Sequence, residues 1–365
     1  MRQHIMAAGL VAATVAGLDA AASAQQASPY APRGAVSQGL ESGFYVWLDG
    51  AYHNVSLPAY RLGLHAATRV ALQDRGSVQT IEPHVDGGGF RGAIGYAVPG
   101  TGARFEFGGS YVQAKASDSS FTSTSDMAIG TQFVDGRIGS GYVCSTAVFF
   151  GSCNVSGVLN SEYAAWQFNG KVAAERTLGS VKLTPFVAVF GGNTRALQSL
   201  SQSFAYIDNG TGLTTTTGRY SANTDLKWTD IGARAGFDLH VPVSAALTIG
   251  FTGWLGAAGR ETSLSARDSA SDTFANFDGS GALSTRDNKT VLLANAETGF
   301  AYKLTPAAAL RGFVGLNYDG GVPGIATPSF AGSFAIATSG PAAAINYHSE
   351  TSYYAGGGVT VKFGP

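Results

Sequence analysis

Apolar and polar positions alternate along most of this chain with a period of two, the period that places successive side chains on opposite faces of a β-strand. The stretch Gly87–Lys115 shows it most plainly. Phe90, Ile94, Tyr96 and Val98 share one face there, and Arg91, Ala93, Gly95 and Ala97 share the other. After the turn Val98–Gly102, Phe105, Phe107 and Tyr111 oppose Arg104, Glu106 and Ser110. The same alternation recurs in Gly43–Asn54, Glu162–Arg176, Val181–Asn193, Asn223–His240, Ala246–Gly259, Asn288–Leu304, Ala309–Asp319 and Ser349–Phe363. With the two strands of the first hairpin this predicts ten strands.

Connection lengths alternate as regularly as the side chains. Val98–Gly102, Thr177–Ser180, Val241–Ala245 and Thr305–Ala308 are short turns. Val55–Asp86, Ala116–Ser161, Thr194–Ala222, Arg260–Asp287 and Gly320–His348 are long and read as loops. A soluble sandwich has no reason to gather its long connections at one end, whereas an antiparallel outer-membrane barrel does, with short periplasmic turns and long extracellular loops. Closure also removes unpaired strand edges, which hydrocarbon does not tolerate. The expected fold is therefore a single all-β transmembrane barrel over residues 43–363. Ala128–Val134 and Val143–Phe150 are two further strand-like runs; in the wall they make twelve strands, and as a hairpin above the membrane, the favoured placing, they leave ten.

Composition agrees. Gly 50 and 11% aromatics are high, and 13% charged residues is low, as for a surface that meets lipid. A basic start, the apolar run Ile5–Leu18 and the small residues Ala22-Ser23-Ala24 form a secretory signal peptide over 1–24, followed by a periplasmic tail over 25–42. A net charge of −1 excludes electrostatic capture of nucleic acid. In an oxidising compartment Cys144 and Cys153, in one polar segment, are expected to form a loop disulfide.

The faces opposite the apolar stripes carry Arg91, Arg104, Glu106, Lys171, Glu175, Arg234, Asp238, Glu297, Lys303, Arg311 and Lys362. Burying these in a dry core unpaired costs several kcal/mol each, so they are expected in the lumen, either as a salt-bridge filling or as the lining of a passage. Trp47, Trp166, Trp228, Trp254 and the tyrosines are expected to include girdle residues at the membrane interfaces. The segment Gly320–Tyr347 carries no charge and is expected to fold into the mouth or against a neighbour.

Catalytic signals are sparse. His53, His84 and His348 fall near outer strand ends, where they would have to meet Asp86, Asp319 or Glu350 to make a hydrolytic rim site. No nucleophile elbow, zinc-protease or phosphate-loop motif occurs, so neither an enzyme, a metal site nor a cofactor is expected.

Four blocks resemble the Legionella-type major outer membrane protein family. They are Gly89-Phe90-Arg91, Pro99-Gly100-Thr101-Gly102, Pro185-Phe186-Val187 and Gly232-Ala233-Arg234-Ala235-Gly236-Phe237-Asp238, in that order. The resemblance implies a pore-forming outer-membrane barrel and transfers no catalytic residue. Tyr353, Val359, Val361 and Phe363 look like the C-terminal assembly signal of Gram-negative barrels, displaced by Gly364-Pro365. The expected partners are outer-membrane lipid, the assembly machinery through the last strand, and small polar solutes, with self-association open. The leading expectation is a porin-like pore for small hydrophilic solutes. The alternatives are a non-conducting surface barrel whose loops make contacts and, more remotely, a rim-histidine hydrolase.

Overall fold

The computed structural model describes residues 43–61, 64–68, 81–124, 126–145, 151–208, 214–273, 278–326 and 340–363. The signal peptide and the tail expected before residue 43 lie outside them. Ten long strands form one closed antiparallel ring. In ring order they are β1 (Gly43–Ser56), β3 (His84–Ala97), β4 (Ala103–Thr124), β7 (Gly151–Ala174), β9 (Val181–Asp208), β10 (Thr214–Pro242), β11 (Leu247–Asp272), β12 (Asp278–Lys303), β13 (Ala308–Ala326) and β14 (Ala344–Phe363), which returns to β1. The three-residue β8 (Arg176–Leu178) continues the line of β7 along β9. The remaining strands, β2 (Leu64–Thr68), β5 (Asp126–Gln132) and β6 (Ile138–Ser145), form a separate sheet. The two extra runs are therefore not wall strands, and the second sits earlier than the expected Val143–Phe150.

Within the belt the outward face is apolar. Ile231 is 73% exposed, Phe107 66%, Val189 65% and Leu255 65%, and comparable side chains recur on every wall strand. An exposed apolar surface of this extent is stable against hydrocarbon, not water. Tyr52, Trp166 and Tyr353 stand at its upper edge, where amphipathic rings suit the interface. The short turns close the other end. Gly100 and Gly102 hold φ of 68° and 70° in the turn after β3, and Val98 N donates to Ala103 O at 2.9 Å.

The long loops expected above the belt are for the most part continued strand. Within Thr194–Ala222 and Arg260–Asp287, residues 194–208 and 214–222 and residues 260–272 and 278–287 are the upper halves of the pairs β9–β10 and β11–β12. At 29 residues, β10 is about 95 Å long along its axis, several times what a bilayer core requires. The period of two persists in this upper wall, but its polarity inverts. In the belt β10 points Ile231, Ala235 and Phe237 outward and Arg234 and Asp238 inward. Above it, Arg219, Ser221 and Asn223 point outward and Tyr220, Ala222 and Leu226 inward. Lipid surrounds the lower half and water the upper, so the apolar face changes sides.

Candidate functional site

Three groups of ion pairs, built from the polar inward face of the belt, fill the lower lumen. Arg91 on β3 lies opposite Asp49 on β1 in the strand register, and its Nε reaches Asp49 Oδ2 at 3.1 Å. Its Nη2 spans the interior to Glu297 Oε2 on β12 at 2.8 Å, and the guanidinium lies 4.1 Å above the Phe313 ring. Tyr354 Oη donates to Glu297 at 2.9 Å, and Arg311 approaches Asp49 at 3.6 Å. In the second group Lys171 Nζ meets Asp238 at 2.8 Å and Thr252 donates to the same carboxylate at 2.9 Å. Tyr45 Oη and Trp47 Nε1 each donate to Glu106 at 3.2 Å, and Arg234 lies between the rings of Trp254 and Phe190. Nearer the short turns, Glu175 bridges Arg104 and Lys182. A cavity of about 10 Å³ among Tyr45, Arg104, Glu106, Lys171 and Asp238 is barely the size of one water.

Arg260 caps this layer. Its guanidinium takes Asp230 through two bonds of 2.7 Å and Asp319 through bonds of 3.0 and 2.8 Å. Above it the lumen turns apolar, with Tyr60, Tyr163, Leu200, Tyr220, Leu226 and Leu264 among the fully buried side chains. Non-barrel segments insert from above. Tyr60 bridges Ile81, Phe133 and Val134 enter from the turn after β5, and Ala343 N donates to Val134 O at 2.9 Å. Asp268 on β11 pins the insert, accepting from Val134 N at 2.9 Å and Tyr220 Oη at 2.8 Å. Burial pushes the Asp268 carboxyl up to about 6, against the lowering by those two bonds. Glu350 on β14 is pushed up to about 7, first by burial and then by the charges of Asp319 and Glu82.

Water entering an open lumen would leave inward side chains accessible. Instead they are buried from the bottom of the belt (Arg104, Tyr45) through its middle (Asp49, Arg91) to the top of the wall (Phe204, Ala270). The described interior is filled, as the narrow bore of a ten-stranded ring permits.

Of the inward charges read from the sequence, Arg91, Arg104, Glu106, Lys171, Arg234, Asp238, Glu297 and Arg311 are buried, and Glu175 is partly so. Lys303 is exposed at the lower mouth and Lys362 is half-buried there beside Lys182 and Arg104. Tyr353, Val359 and Phe363 of the last strand face outward. Cys153 is buried, while the Cys144 side chain lies outside the described residues, as do 327–339 of the uncharged segment. Residues 323–326 and 344–347 of that segment pair as antiparallel strand, not as a loop.

Three tryptophans correct the girdle expectation. Trp47, Trp228 and Trp254 point inward, and Trp166 alone of the four stands on the rim. Trp47 Nε1 bonds Glu106, and Trp254 and Trp228 lie beside Arg234 and Arg260, so these indoles serve the charge network. The histidines do not converge. His53 is buried and stacks on Tyr354 at 5.8 Å, His348 Nε2 meets Asn346 Nδ2 at 2.7 Å, and His84 is exposed. Asp86 accepts from Tyr52 and Asn54 instead. Sequence reasoning did not single out Asp49, Asp230, Arg260 and Asp268. Asp49 and Asp230 had a signal, the one an acid directly opposite Arg91 in register and the other sharing the parity of Arg234 and Asp238 inside Asn223–His240; Arg260 and Asp268 fell beyond the expected strand end at Gly259.

No known protein family matches the chain, and no curated protein matches it. Among solved structures it is similar to the outer membrane protease OmpT from Escherichia coli, at TM-score 0.42 and 11% identity over 89% of this chain and 99% of that one. It is also similar to the translocator domain of the autotransporter NalP from Neisseria meningitidis (TM-score 0.31, 11% identity, 88% and 89% covered). A Pseudomonas aeruginosa FadL homologue follows at TM-score 0.25 and 10% identity, with 88% and 91% covered. Likeness this low gives no ground for moving a protease, autotransporter or channel activity onto this chain.

Proposed function

We propose that this chain is a sealed barrel of the Gram-negative outer membrane that acts through its extracellular wall and does not conduct solutes. The observation that carries the reading is the filled interior. The Arg91 and Lys171 groups bridge the lower lumen, and an apolar insert occupies the upper one. A pore for small hydrophilic solutes, the leading expectation from the sequence, needs a wet path between inward charges, and here those charges are spent on one another. The blocks that resemble the Legionella-type family support the outer-membrane placing, and membership in that family belongs to this proposal. A surface-contact role is supported by the polar outer face that the wall strands carry far beyond the belt.

Cysteine labelling of intact cells tests the placing. A membrane-impermeant maleimide is expected to label Ser201→Cys, high on β9, and to miss Ser244→Cys in the short turn after β10. Labelling of the second variant but not the first would overturn the orientation and, with it, the surface role.

A further inference from the structure

From the upper edge of the belt outward, the exposed side chains fall into cross-strand rows fixed by the register. The lowest row joins Gly191, Ile231, Gly259 and Thr290 across β9 to β12. Gly259 has no side chain between Ile231 and Thr290, and a notch of about 340 Å³ opens there, apolar below and lipped by Thr229, Glu261 and Asn288. Four residues above the lowest row, past a row that holds Glu261, the row reads Arg195, Lys227, Ser263, Arg286. It holds three cations and no acid. Arg195 and Lys227 are direct neighbours and about half-exposed; both contact Asp225 in the row above, at 2.8 and 3.0 Å. Higher still, a groove of about 460 Å³ runs over Asn160, Ser199, Asn223 and Ser265, with Leu197 and the carboxylates of Glu162 and Asp225 also on its wall.

A notch over Ile231 and Gly259, a cation row, and a groove of hydroxyl, amide and carboxylate side chains follow one another from the hydrocarbon outward. That order matches an amphiphile with acyl chains, an anionic phosphate and sugars. We propose that this face of β9 to β12 binds a phosphorylated saccharolipid of the surrounding outer leaflet, a reading that rests on the outer-membrane placing above. The acyl chain lies over Gly259 and Ile231, the phosphate takes Arg195, Lys227 and Arg286, and the sugars lie along the groove. Asp225 competes with the phosphate for two of the cations and so limits the affinity.

Purified protein in mixed micelles is incubated with a bis-phosphorylated, acylated glucosamine disaccharide, with its dephosphorylated form, or with the bisphosphate lacking acyl chains, and the retained ligand is counted by native mass spectrometry. Wild type is expected to prefer the phosphorylated lipid at least tenfold. Arg195→Gln/Lys227→Gln/Arg286→Gln is expected to lose about a hundredfold of that affinity, since each surface cation contributes roughly one comparable increment. Asp225→Asn is expected to retain more lipid than wild type, a gain that misfolding cannot mimic. Equal retention by wild type and the triple variant, or equal binding of the unacylated bisphosphate, would overturn the proposal. Insertion into phosphocholine vesicles, read as a heat-modifiable gel shift, is the control. A wild-type chain that inserts but does not discriminate defeats the lipid site alone, and one that does not insert defeats the barrel reading as well.

Discussion

Arg91 shows how a charge survives inside a membrane barrel. Its guanidinium has an acid on either side, Asp49 at 3.1 Å and Glu297 at 2.8 Å, with an aromatic face beneath. A buried network of this kind adds little over an apolar filling, but losing one member leaves others uncompensated. Arg91→Met is therefore expected to cost about 3 kcal/mol in equilibrium unfolding from detergent, and adding Glu297→Gln to recover a good part of it. Glu350 makes a pH-dependent counterpart above the belt, three residues up β14 from Tyr353 at the belt's edge. Its folded carboxyl is raised from 4.5 to about 7, so its stabilising contribution is complete below about pH 4.5 and is lost as pH rises through 7. Glu350→Gln is expected to flatten thermal stability across that window and to gain about 1–2 kcal/mol above it, after allowance for partial solvation. A transition temperature as steep in pH as that of wild type would contradict this.

Among the elements, the upper halves of β9 to β12 carry the clearest lesson. Their large inward side chains, Leu200, Phe204, Tyr220, Leu226 and Leu264, are apolar and their outward positions mostly polar, the reverse of the belt, with Gln198, Gln202 and Asp268 as polar residues inside. An acid at Leu226, buried in the upper core, is expected to destabilise the fold by at least about 3 kcal/mol, whereas Ser201→Asp on the outer face of the same wall changes it by less than about 0.5 kcal/mol. Equal effects would mean that the wall has no inside. The belt strands were legible because Phe, Ile, Leu and Val alternate with charges, a strong signal at period two. The upper wall was not, because Ser, Thr, Asn and Gly alternate there with Ala, Leu and single aromatics, and Ser199, Ser201 and Ser203 on β9 resemble loop residues. The inward charges could be read from the alternation alone; their partners could not. Arg91 finds Glu297 four strands away around the ring, a proximity that only closure creates. Three of the four tryptophans stand inside and not in the girdle, because an indole suits a lipid interface and a lumen cation equally well, and only its parity along the strand tells the two apart.

As a whole molecule the chain is a short membrane cylinder carrying a tall polar wall. Six strands, β4, β7, β9, β10, β11 and β12, continue well past the belt, while residues 57–60 and 81–83 turn inward with the turn after β5 and residues 340–343 to fill the top. Among the described residues Val134 N to Asp268 and Arg137 to the Ser280 carbonyl tie the insert to the wall, and Gln132 Nε2 to the Pro341 carbonyl holds its own segments together, against an apolar core that supplies the rest. Removing the Asp268 anchor as Asp268→Ala is expected to raise amide exchange in residues 133–137 more than in the belt strands, as a local loosening requires. Equal exchange throughout would show that the insert is held otherwise. The most direct test of the sealed lumen is conductance of the purified full chain in planar bilayers at neutral pH over a range of voltages. The filled interior predicts a baseline indistinguishable from protein-free membrane, and reproducible ohmic steps from the wild-type chain would contradict it.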